Sequence, residues 1–206
     1  LVAGTGLVVR SVADGRPYAA LPSCGDLLPA DLLGTVPGAD RPRAEGRFTG
    51  AEALGRFGED VDDGLLGVLN CDVHYASDGI PLSVLLNLYD AEDGVASLEE
   101  RREVIGDQMA DLAEGTGQED RGILAWREVS VADGGYAAVY TFSSDFQNAS
   151  AHFAEAYFFA ANTQVSISYP VSDSPFGDGD EEELLDFVDG FAGQVNRQLS
   201  REGERV

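Results

Sequence analysis

From Leu66 onward the chain alternates. In "GVLNCDVHYA" Leu69, Cys71, Val73 and Tyr75 fall on one side and Asn70, Asp72 and His74 on the other, the period of a half-buried strand. After the turn signal Ser77-Asp78-Gly79, "IPLSVLLNLYD" returns with Ile80, Leu82, Val84, Leu86 and Leu88 in phase, so the pair predicts a hairpin. The period then changes. Across "SLEERREVIGDQMADLAEG" Leu98, Ile105, Met109 and Leu112 share a helical stripe, Ser97 and Glu100 have capping-box spacing, and Gly115 suits the stop. "ILAWREVSVADGGYAAVYTFSS" goes back to strand period on both sides of Asp133-Gly134-Gly135, a second hairpin. "TQVSISYPV" adds a strand with Val165, Ile167 and Tyr169 together. A last helix carries Leu184, Val188, Phe191, Val195 and Leu199 on one stripe, capped by Asp180 and Glu183, with Glu181 and Glu182 complementing its dipole.

The stretch Ser150 to Asn162 fits two periods. As a strand it places Phe153, Tyr157 and Phe159 together; as a helix it aligns Phe153, Tyr157 and Ala161. Asn162 as a turn into the next strand favours the strand. Nearer the start, Pro29 opens a short helix that Gly34 ends, "RFTGAEALGRFG" holds an edge strand, and "SREGERV" frays at the end. The order predicts an α+β domain: an antiparallel sheet of about six strands, hairpin plus meander, with one face covered by two amphipathic helices. Leu69, Val73, Leu82, Val84, Ile105, Met109, Val165, Ile167, Val188 and Phe191 are expected in one core.

The chain divides into residues 1–17, a single domain over 18–200, and a frayed tail over 201–206. Leu1 to Val9 is apolar and uncharged, too short to span a bilayer, for which ~20 residues are needed. With the polar "RSVADGRP" behind it, it reads as the outer end of a signal segment or membrane anchor followed by a juxtamembrane linker. A buried first strand is the other reading.

Charge narrows the partners. The 206 residues hold 37 acidic and 13 basic side chains, a net charge of −24, and every basic residue is arginine. Such an excess repels phosphate backbones and anionic lipid, so no nucleic acid is expected as a partner, and membrane contact only through the N-terminal anchor.

The two cysteines, Cys24 and Cys71, then have few uses. Leu21-Pro22-Ser23-Cys24 has a lipobox outline, but Arg10, Asp14, Arg16 and Pro17 interrupt the apolar run that signal needs. With His74 and His152 they lack zinc-finger spacing, and no protease context surrounds Cys24. An even count in an exported chain points to a Cys24–Cys71 disulfide. It also places the chain outside the cytoplasm.

Other chemistry is sparse. The acidic runs Glu59, Asp60, Asp62, Asp63 and Asp173, Asp178, Asp180, Glu181 lack EF-hand order, so no metal or cofactor is expected. Asn148-Ala149-Ser150 matches a glycosylation sequon. On the strand reading His152 and Glu155 oppose each other; the enzyme alternative is a secreted hydrolase built on His152, an acid and Ser150 or Ser166. The aromatics are the densest resource, and Trp126, Tyr136 and Tyr140 are the candidate ligand- or partner-binding residues.

"CGDLLPADLLGTVPG", the second cysteine on an early strand and the order hairpin, helix, meander, last helix resemble an actinobacterial cell-envelope family of lipoproteins and membrane-anchored proteins. The resemblance runs in layout from Ser23 to Leu199; Val73 stands where that family often has an aromatic. It implies a PsbP-like α/β/α sandwich that is exported, disulfide-bonded and non-catalytic, and it transfers no catalytic residues. The expected function is an extracytoplasmic cell-envelope domain, not an enzyme, binding a protein, glycan or lipid.

Overall fold

Both expected hairpins form, and they share one sheet. The computed structural model describes residues 15–56, 61–74, 81–116, 122–144, 149–171 and 180–206. Leu1–Val9, Glu59, Asp60, Tyr75, the 77–79 turn, Ile80, Asn148, Asp173 and Asp178 lie outside the described residues. The first half of the chain holds β1 (Tyr18–Ala20), α1 (Cys24–Leu27), α2 (Ala30–Leu33), β2 (Arg43–Gly50), α3 (Ala51–Arg56), β3 (Leu65–His74), β4 (Leu82–Tyr89) and α4 (Val95–Ala113). The second holds β5 (Ile123–Val129), β6 (Gly135–Ser144), β7 (Ala149–Ala160), β8 (Thr163–Pro170), α5 (Glu181–Glu202) and β9 (Glu204–Arg205).

Seven strands make the main sheet in the order β2-β3-β4-β8-β7-β6-β5, one more than expected, and every pairing is antiparallel. The chain meanders through β2, β3 and β4, crosses on α4 to the far edge, and meanders back until β8 closes against β4. The ambiguous stretch is strand β7, and Asn162 does turn it into β8. Gly134, at φ 95, takes the left-handed conformation the β5–β6 turn needs.

Strand parity sorts the sheet into two faces. On one, Leu69, Val73, Val84, Ile167, Phe158 and Val139 are buried against α1, α2 and the α5 stripe of Leu184, Val188, Phe191, Val195 and Leu199. On the other, Leu98, Ile105 and Met109 of α4 pack on Leu65, Tyr89, Tyr136, Tyr157 and Phe159. The expectation that both long helices cover one face is therefore corrected: they sandwich the sheet. Ile105 and Met109 correspondingly leave the predicted single core for a second one. The cause is Tyr157-Phe158-Phe159, three consecutive aromatics that a strand must deliver to both faces.

Two further expectations change. Helix α4 starts at Val95 behind Gly94, because Asp90 Oδ1 accepts from Glu92 N and Asp93 N at 2.8 and 2.9 Å and turns the chain early. Ser97 Oγ, already inside the helix, donates instead to the Asp63 carbonyl at 2.8 Å, so no Ser97–Glu100 capping box forms. The tail expected over 201–206 does not fray: α5 runs to Glu202 and β9 pairs with β1. Val206 N donates to Pro17 O at 3.0 Å, and the Arg205 guanidinium lies 4.2 Å over the Tyr18 ring. Arg16 and Pro17 thus belong to the folded unit rather than to a linker, Arg205 donating to the Arg16 carbonyl. Asn162 fastens this small sheet to the large one, its Oδ1 accepting from Tyr18 N at 2.7 Å and its Nδ2 donating to Tyr18 O and Tyr89 O.

Cys24 opens α1 behind the N-cap Ser23 and is bonded to Cys71 in mid-β3, as the sequence predicts. Gly46, directly opposite Cys71 on β2, makes room for it: a Cβ there would lie 2.9 Å from Cys24 Sγ and 1.9 Å from the Asn70 carbonyl oxygen.

Candidate functional site

On the α4 face, β6 sends Tyr136, Ala138 and Tyr140 outward in succession, and Trp126 of β5 pairs with Ala138 between the two tyrosines. The three aromatics singled out from sequence therefore share one surface, and all three are half-buried. β7 answers with Tyr157 opposite Tyr136 and Phe153 opposite Tyr140. The rings stack pairwise, with centroids 5.5 Å apart for Tyr136–Tyr157 and 5.6 Å apart for Tyr140–Phe153.

Between the two stacks β7 places Glu155, opposite the small Ala138. The Tyr140 hydroxyl donates to Glu155 Oε1 at 2.6 Å. Burial raises the Glu155 carboxyl above its ordinary range, against hydrogen bonds from Tyr140 and Ser168 that lower it. Burial likewise pushes the Tyr157 hydroxyl up to about 12, helped by the Glu155 charge, and raises Tyr140 further still. The floor continues as Ser166 and Ser168 of β8, paired with Tyr157 and Glu155, and then Leu85 and Ser83 of β4. The apolar cluster beneath α4 takes in Tyr136 and Tyr157 and ends there, while Tyr140, Phe153 and Glu155 beyond it stay partly exposed.

Neither a protein-family model, nor a curated protein, nor a solved structure matches this chain. Its chemistry therefore rests on the geometry. Glu155 is one carboxyl, and the nearest other acid on its cross-strand row is Asp72, reached through Ser168 and Ser83 and itself paired with Glu45 of β2. Three strand spacings put them about 14 Å apart, well outside the separation of a glycosidase pair. His152 pairs with Thr141 on the opposite face from Glu155, and Ser166 falls on the Glu155 face, so His152 and Ser166 do not converge. His74 sits at the end of β3 opposite Arg43. Among the described residues no group of three or more His, Cys, Asp or Glu is placed to hold a metal, and no helix is long and apolar enough to cross a membrane.

Asp62, from the first acidic run, has a structural partner. Arg101 of α4 grips it twofold, with Nη2 to Oδ1 at 2.7 Å and Nε to Oδ2 at 3.1 Å, and Tyr89 OH donates to Oδ2 at 2.8 Å. The Arg101 hydrogen bond holds the Asp62 carboxyl below its usual value, while burial pushes Tyr89 up to about 12. This clip ties the approach to β3 onto α4.

From sequence Phe153 enters only through the periods of its segment and Glu155 only against His152, neither as a contact residue of this surface. The signal is parity: Phe153, Glu155 and Tyr157 are alternate residues, so a carboxyl lies between two rings once the segment is a strand.

An acid with a raised folded pKa binds its proton more tightly folded than unfolded. The stabilisation from that proton is full below the ordinary 4.5 of the unfolded chain and is lost as pH rises through the folded pKa. Glu155→Gln keeps the shape and removes the ionisation. The variant should therefore gain stability over wild type as pH rises from about 4 to 8 in urea unfolding. A difference that stays flat with pH would show that the carboxyl is not held in this state.

Proposed function

We propose that this chain is a non-catalytic, extracytoplasmic domain of a cell-envelope protein that binds a partner through the partly exposed end of the α4 face. The observation that carries it is the Glu155–Tyr140 pair, a partly buried carboxyl held between two aromatic stacks on a floor of Ala138, Ser166 and Ser168. Flat rings beside a small-residue floor offer apolar contact, and the carboxyl and hydroxyls offer fixed hydrogen bonds, the usual make-up of a recognition site. Trp126, Tyr136 and Tyr140 are its named contact residues. The envelope location is supported by the Cys24–Cys71 disulfide, which suits an oxidising compartment. Helices on both faces of an antiparallel sheet are consistent with the PsbP-like sandwich of the resembling actinobacterial family, and attachment through the segment before residue 17 completes the proposal.

Trp126 is the chain's one tryptophan, so its fluorescence reports on this surface. Titration with cell-wall glycan fragments, lipid vesicles and envelope protein extracts should change its emission for one of the three classes, and Tyr140→Ala should weaken that response about tenfold or more. Binding that is untouched by Tyr140→Ala moves the site elsewhere. Turnover of an esterase, peptidase or glycosidase substrate that His152→Ala abolishes would replace the binding reading with the hydrolase one.

A further inference from the structure

We infer that the chain pairs with a second copy of itself along β2, the edge strand of the sheet. Among the described residues β2 hydrogen-bonds only to β3 in the main sheet, and its register runs from Arg43 to Gly50 without a bulge. Arg43, Glu45, Gly46, Arg47 and Phe48 are exposed, Phe48 at 46%. Natural edges are blunted by bulges, prolines, charged side chains or covering segments, and of these β2 carries only charges, Arg43, Glu45 and Arg47. The opposite edge, β5, has such devices: a register shift between Ile123 and Ala125, and Arg127 tied to Asp186 and Glu182 of α5 at 2.6 and 2.7 Å. β2 carries neither a proline nor a register shift.

The occupant follows from charge. Within a chain of net −24, β2 is a locally basic strand, with Arg43 and Arg47 against Glu45. A generic acidic partner would find one carboxylate in its way; a second β2 finds it in the right place. In an antiparallel pair centred on Gly46, Glu45 faces Arg47 of the second copy, and Arg47 faces its Glu45. Arg43 then faces Thr49, and Ala44 faces Phe48, covering part of that exposed ring. All residues from 43 to 49 find partners within the strand itself. Moving the centre by one residue sets Glu45 on Glu45 or Arg47 on Arg47, so like charges disfavour the neighbouring registers. Gly46 leaves the twofold axis free of side chains. Directly opposed residues lie on the same side of a sheet, so the pairing extends the sheet and keeps both α4 faces on one side. This inference does not depend on what that face binds.

Charge reversal tests it, because an isologous interface meets each substitution twice. Sedimentation velocity on the full chain should show a monomer–dimer equilibrium as concentration rises through the micromolar range. Arg47→Glu and Glu45→Arg should each raise the dissociation constant about tenfold or more, since both create like-charge pairs. The double variant Glu45→Arg/Arg47→Glu restores opposite charges and should restore the dimer. Both positions of change are exposed, and circular dichroism with the thiol count confirms that the variants fold. A wild-type chain that stays monomeric, single variants that dimerise normally, a double variant that stays monomeric, or an open polymer in place of a dimer would each overturn the inference.

Discussion

Replacing Phe191 by alanine is expected to lower the free energy of unfolding by about 3–5 kcal/mol. Phe191 is 1% exposed in the middle of the α5 stripe, where its ring lies 5.7 Å from that of Phe187, itself edge-on to Tyr169 at 4.8 Å. The ring thus joins the helix to the sheet side of the larger core. Its surroundings are fixed strand residues, so the cavity left by truncation cannot collapse cheaply, and the cavity cost adds to the lost burial. Urea unfolding gives the number directly. A loss below about 1 kcal/mol would mean that α5 is not docked on β5, β6 and β7 as described.

Removing the disulfide should cost about as much by a different route. The bridge spans a sequence separation of 47, and closing a loop of that length in the unfolded chain corresponds to about 4 kcal/mol in the chain-entropy picture. The folded state loses little, because Cys24 and Cys71 are both buried and already placed by α1 and β3. The Cys24→Ala/Cys71→Ala double variant, compared with wild type by urea unfolding, should therefore show a destabilisation of about 3–4 kcal/mol. Native protein should show no titratable thiol in the absence of reductant. Two free thiols would remove both the bridge and the argument for an oxidising compartment.

Much of this fold is legible in the alternation. The β3–β4 and β5–β6 hairpins, the α4 and α5 stripes and the Cys24–Cys71 partnership follow from local period, turn residues and cysteine count. What local pattern does not carry is which side a helix takes. Leu98, Ile105 and Met109 make an ordinary amphipathic stripe, and only the outward-facing Tyr89, Tyr157 and Phe159 show that the second face needs a cover. The β1–β9 pair is illegible for another reason. Its strands are three and two residues long, and it is held by the side chain of Asn162 and by Arg205 over Tyr18, contacts distant in sequence. At the candidate site, Trp126, Tyr136 and Tyr140 are read as an aromatic group. The carboxyl among them emerges only when register sets Glu155 beside Ala138.

The pairing of β1 with β9 gives the domain a base and a tip. Both described ends of the chain leave side by side, Pro17 bonded to Val206, at the turn where Asn162 links β7 to β8. The Tyr140–Phe153 stack lies seven residues back along β7 from Ala160, about 23 Å away at the rise of a strand. A tether attached through either end, or a fusion made at either end, therefore grips the molecule by the same pole. The Tyr140–Phe153 end of the aromatic surface lies toward the other pole, its rings projecting sideways from the sheet, so a fusion at either chain end leaves that end of the surface clear.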